Sequence, residues 1–217
     1  MGSRDKTHRQ FCARTWPAAT ARRMTWVVAL LVAFPAARTL GADSSWSVVR
    51  GDVRVVCPMT VGGSFEARTG AIRGTVTLGA PGAALGGDLS VDLATLDTGI
   101  GLRNEHLRDK YLEVGRGQGF DRAVLSEIRL GAADPRGFEG KTTFTGTFRL
   151  HGAAKPIAGQ ATIRREGEAV RVEASFPVTV PAFGIEKPRY LGVGIRDQVN
   201  VTVSLVAEPV HTPEAVR

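Results

Sequence analysis

Of 217 residues, 43% are hydrophobic and 23% charged, which is enough apolar side chain for a core and too ordinary a composition for a disordered chain. The formal net charge of +7 is concentrated upstream: residues 1–42 hold seven bases and one acid, leaving 21 bases and 20 acids in the rest. A body so close to neutral has no electrostatic reason to bind nucleic acid.

Residues 26–34 form a nine-residue apolar run, short of the ~20 residues a membrane span needs. Arg22 and Arg23 precede it, and Ala36, Ala37, Gly41 and Ala42 follow. Basic, apolar and small-residue regions in that order predict a secretory signal peptide. Residues 1–42 are therefore expected to be a leader, starting at Met1 or Met24 and cut near Gly41 or Ala42. The mature chain is expected in the periplasm or otherwise exported, with no stable membrane span after cleavage. Cys12 falls in the leader, so Cys57 is alone in the body: no internal disulfide is available, and a small buried hydrophobe is its plain reading.

From Ser44 the chain alternates. Two short strands are predicted at 46–49 and 53–57, split by a Gly51-Asp52 turn, with 61–65 glycine-rich and irregular. Ile72, Gly74, Val76 and Leu78 share one side of an extended run, and Leu89, Val91 and Leu93 share another. Residues 98–112 break the rhythm with charges and with Leu102, His106 or Leu107, and Tyr111 roughly three to four apart, so one helix is predicted across an end of the sheet. Val124, Ser126, Ile128 and Leu130 suggest a weaker strand.

A long hairpin follows. Phe144, Gly146, Phe148 and Leu150 lie on one side, a break spans 151–156, and Ile157, Gly159, Ala161 and Ile163 resume. Val170, Val172, Ala174, Phe176, Val178 and Val180 make the clearest stripe. A loop is expected at 182–194, and Val199, Val201, Val203 and Leu205 end the pattern before a polar tail at 208–217. Eight to ten strands with short connections predict an all-β sandwich or up-and-down barrel; closure is favoured because no strand carries the charges of a protected edge.

Catalytic and metal signatures are lacking. His106, His151 and His211 have no ligand-pair spacing, and there is no nucleophile elbow, Cys/His pair or phosphate loop. No catalytic residue and no metal ligand is assigned, and the protein is not expected to be an enzyme. The apolar stripe is either plain core or the wall of a hollow barrel; small inward residues (Gly74, Gly146, Gly159, Ala161, Ala174) favour the hollow form.

The order and spacing of several segments resemble the YceI-like proteins, polyisoprenoid-binding proteins exported to the bacterial periplasm. The segments are Gly63-Ser-Phe65 with 72–76; Leu96-Asp-Thr-Gly99 leading to Arg103-Asn-Glu-His-Leu-Arg108 and Tyr111-Leu-Glu-Val114; Gly146-Thr-Phe-Arg-Leu-His-Gly152 with Lys155-Pro156; and Phe183-Gly-Ile185. Asn104 stands where the family pattern has an acidic residue. The resemblance covers most of 43–207 and implies a lipocalin-like antiparallel β-barrel of about eight strands with one short helix.

It further implies a long pocket for an extended apolar lipid (an isoprenoid, quinone or fatty-acid-like chain), no other cofactor, and transport or storage rather than turnover. Whether the protein works as a homodimer stays open. The expected wall is Phe65, Val76, Val91, Phe144, Phe148, Val172, Ala174, Phe176 and Val201, with Leu107 and Leu112 gating one end. Two rivals stay open: a filled barrel acting as an envelope interaction or stress protein, and an enzyme for apolar substrates built on Asp97, Arg103 and His106.

Overall fold

The computed structural model describes residues 44–78, 84–131, 139–187, 189–190 and 193–210. The chain divides into two units, Met1–Arg38 and Thr39–Arg217, and every described residue belongs to the second. The leader assigned to 1–42, with Cys12, lies outside the described residues, as does the tail from 211 onwards with His211.

Eight strands close on themselves. They are β1 (Ser44–Pro58), β3 (Ile72–Leu78), β4 (Leu85–Asp92), β5 (Arg122–Leu130), β6 (Gly140–Leu150), β7 (Ala153–Glu166), β8 (Ala169–Thr179) and β11 (Gln198–Pro209). Each is antiparallel to its neighbours, and β11 pairs back with β1, through partners such as Val201 and Val55. Closure leaves no unpaired edge on this ring and forces one face of every strand inward, where alternating side chains bury. A further strand, β2 (Ser64–Thr69), runs beside the second half of β1, and β3 beside the first, so the two form one line kinked at Gly70-Ala71. A small hairpin, β9 (Arg189–Tyr190) with β10 (Val193–Gly194), completes the set.

The two ends of the barrel differ. At one, β7 and β8 join through a tight turn at Gly167-Glu168, and β1 begins nearby. At the other, two long connections cross over the opening. The first carries a 3-10 turn (Leu93–Thr95), helix α1 (Gly101–Glu105), a π-helical stretch (His106–Tyr111) and a second 3-10 turn (Val114–Arg116). The second carries a 3-10 turn at Val180–Phe183 and the small hairpin. We call this the capped end.

Several expectations need correction. Residues 46–49 and 53–57 are one continuous strand. Gly51 is not a turn: a Cβ there would lie 2.4 Å from Ile72 Cγ2, so glycine permits close approach of β3. An extra residue between Val48 and Arg50 shifts the register with β11, so Trp46 and Val48 face inward before the shift and Val53, Val55 and Cys57 after it. The irregular stretch before Phe65 ends sooner than expected, because β2 begins at Ser64. The predicted helix at 98–112 begins at Gly101 and widens after Glu105, with Leu112 N–H donating to Leu107 O at 2.9 Å.

In β5 the inward residues are Ala123 and Leu125, not Val124 and Ser126; a bulge centred on Glu127 (φ 53°) then restores Ile128 and Leu130 to the inside. The break expected at 151–156 is only His151-Gly152, and β7 runs straight through Lys155 and Pro156.

Candidate functional site

Inside the barrel the side chains do not meet at the axis. A cavity of about 310 Å³ runs within it, at the lower bound of the roughly 300–1,000 Å³ usual for small-molecule pockets. All eleven expected wall residues lie on it. β2, β3 and β4 supply Phe65, Val76 and Val91; β6 supplies Phe144 and Phe148; β8 supplies Val172, Ala174 and Phe176; β11 supplies Val201. Leu107 and Leu112 reach it from the capped end, where both pack against the core. The whole β8 stripe from Val170 to Val180 faces the cavity at alternate residues, as its period-2 pattern requires.

The small residues do not act as expected. Gly159, instead of leaving room at the axis, leaves room for its neighbours: a Cβ there would lie 2.7 Å from Cε1 of the Phe144 ring and 2.8 Å from the Phe176 Cβ. Gly146 likewise admits Leu125, whose Cδ1 would be 2.8 Å away, and Gly74 admits the backbone of Asp88. The rings so admitted stack edge to face along one wall, Phe144 to Phe176 at 5.9 Å, Phe176 to Phe148 at 5.6 Å and Phe148 to Phe183 at 5.8 Å. Ala161 and Ala174, paired across β7 and β8, do line the open space.

Several wall residues were missed. Trp46 and Val48 precede the register shift in β1, and Ala123 and Leu125 precede the bulge in β5, where the alternation cannot be followed through the extra residue. Tyr111 reaches the wall from the π-helical stretch. The wider turn there brings Leu107 and Leu112, five apart, into line on the same wall.

The wall is nearly free of charge: among the described residues, Arg165 and Glu186 are its only ionised side chains. Cys57 is buried on it, and desolvation pushes its thiol up to about 11, with the nearby Arg103 cation pulling the other way. A thiol so held stays protonated and is a poor nucleophile.

The residues weighed for catalysis do not converge on the cavity. Asp97 is exposed, and its Oδ1 accepts from Gly99 N–H (2.8 Å) and Asn104 Nδ2 (2.7 Å), which holds its pKa below the usual carboxylate value. Asn104 Oδ1 in turn accepts from the Thr98 N–H and hydroxyl. An amide can donate and accept at once, so Asn104 closes a loop that an acidic residue there could not. Arg103 lies over the Phe65 ring, 4.6 Å from its centroid, and His106 is exposed. No group of three metal-ligating side chains occurs among the described residues.

His151 has a structural place. In the left-handed turn between β6 and β7, its Nδ1 lies 3.0 Å from Phe183 O and its Nε2 3.0 Å from Glu113 Oε2. It thus ties together the two connections that cross the capped end. Phe120 packs edge-on to the ring, and Arg116 stacks on Phe120 while pairing with Glu113 at 2.8 Å.

Among solved structures, BcnA of Burkholderia cenocepacia is similar at 18% identity with a TM-score of 0.58, covering 72% of this chain and 95% of that one. A polyisoprenoid binding domain from Saccharophagus degradans, implicated in plant cell wall breakdown, is similar at 17% identity with a TM-score of 0.56, covering 76% and 98%. A search of the curated proteins returns no match. The family model for the YceI-like domain matches residues 42–207, nearly the whole barrel. With closed fold, capped end and sequence match in agreement, the chain belongs to the YceI-like domain family.

Proposed function

We propose that the protein is an exported carrier that holds one long isoprenoid, quinone or acyl chain inside the barrel and releases it unchanged. The observation that supports this most is the nearly uncharged bore, walled by aliphatic and aromatic side chains from all eight barrel strands. Each methylene-sized group withdrawn from water into it is favourable by about 0.8 kcal/mol, so a long chain binds without many polar contacts. Selectivity for the exact tail is then broad. The polyisoprenoid-binding description of the Saccharophagus degradans domain agrees with this reading. Export rests on the leader pattern of residues 1–42. Among the described residues the wall carries no acid–base pair and no activated nucleophile, which favours holding over turnover.

The test is native mass spectrometry of protein purified from its own envelope fraction. A bound mass of isoprenoid, quinone or acyl type is expected. Ala174→Trp, which fills the open space beside Ala161, is expected to lose that mass while keeping the β-sheet circular dichroism of the parent. A folded parent that never carries lipid, or a folded Ala174→Trp variant that takes up as much, would refute the carrier.

A further inference from the structure

The two charges on the wall sit at opposite ends. Arg165 lies near the end of β7, opposite Val170 at the start of β8; Glu186 follows the last residues of β8, in the connection over the capped end. The strand between spans about 30 Å at roughly 3.3 Å per residue. Along that length the lining offers a ligand no other ionised group.

Among the described residues the Arg165 guanidinium is also unclaimed. Two neighbouring carboxylates have other donors: Glu166 takes Arg171 through both oxygens, at 2.5 and 3.2 Å, and Glu139 Oε1 accepts the backbone N–H of Arg165 at 3.2 Å. Among the described residues no acceptor lies within bonding distance of the Arg165 guanidinium, and Glu168, in the turn beyond, is exposed. Guanidinium is a planar fork suited to two oxygens of one anion. At the capped end the sign is reversed, since Glu186 would repel the same anion. Of the cations at that end, Arg103 lies over the Phe65 ring and Arg108 donates to Leu96 O at 3.2 Å, and neither is part of the lining.

We infer that the bore is polarised and takes its lipid in one direction, with an anionic head, carboxylate or phosphate, held by Arg165 at the end opposite the cap and the tail running toward the cap. This rests on the carrier reading and sharpens it: Arg165 selects the head, and the apolar wall accepts the tail.

The experiment measures binding of four probes to delipidated full-length protein: hexadecanoate and hexadecanol, farnesyl phosphate and farnesol. At least one anion is expected to bind about tenfold tighter than its alcohol, as one charge-assisted contact would give. Which anion gains identifies the head. Added salt should shrink the preference. Arg165→Gln should erase it while leaving the alcohols unchanged, and Arg165→Lys should keep part of it. Equal binding of acids and alcohols, a preference that survives Arg165→Gln, or one that vanishes instead in Arg103→Gln would overturn the inference and leave the carrier standing. Failure of all four probes to bind would overturn both.

Discussion

Gly159 shows how one atom governs the interior. The missing Cβ is what lets Phe144 and Phe176 meet edge to face beneath β7. Gly159→Val would crowd the Phe144 ring, the Phe176 Cβ and the Ser175 carbonyl, the last already 2.4 Å from where a Cβ would stand. Overpacking of that kind costs about 1–3 kcal/mol. The expected result is a lower urea midpoint at unchanged slope; an unchanged midpoint would mean that the rings yield freely. The same geometry explains why a glycine in an apolar stripe was misread as empty space. Composition reports the volume a residue lacks and is silent on which neighbour takes it.

At the scale of elements, the first connection over the capped end depends on the loop of Asp97, Thr98 and Asn104. Asn104→Asp would replace a donated hydrogen bond with a second carboxylate facing Asp97. A lower melting temperature is expected at pH 7, recovering relative to the parent as acid protonates one of the pair. A variant that melts like the parent at every pH would show the loop to be dispensable. Strand identity was legible wherever alternation ran unbroken: β8 and β11 read straight off the sequence because each inward residue is two from the next. It failed where a residue is inserted. The shifts in β1 and β5 and the kink between β2 and β3 each reverse the inward face, so one strand looks like two, or like a weak one with the wrong side buried. The π-helical stretch failed for a related reason, its period being neither that of a strand nor that of an α-helix.

For the whole molecule, closure means that β1 and β11, distant in sequence, hold the ring shut, and no hydrophobic strand edge is left on it. The electrostatic contribution to stability comes from carboxylates near the barrel's ends. Glu66, Asp97, Glu113 and Glu166 all have pKa values below the ordinary range, each chiefly through a side-chain hydrogen bond: to Arg68, Asn104, Arg116 and Arg171 in turn. A carboxylate depressed in the folded state stabilises in full above its unfolded pKa, and that contribution is lost as pH falls through the lower, folded value. The melting temperature should therefore hold from pH 7 to about 5 and fall below about 4, where unfolded carboxylates begin to bind protons. A melting temperature as high at pH 3 as at pH 7 would contradict this. The proposed head-group site was not legible in the sequence, because Arg165 becomes distinctive only once closure shows that nearly every other described wall position is uncharged.

Of the chain's three tryptophans, Trp16 and Trp26 precede the barrel, and only Trp46 belongs to it, half-buried on the cavity wall at the start of β1. Its indole shares the end opposite the cap with Arg165. On the proposed carrier reading, whatever occupies the bore changes the polarity around that ring, so the protein carries its own optical reporter of cargo. The difference in emission between the parent and Trp46→Phe isolates that reporter, and loading and unloading become visible without attaching a dye.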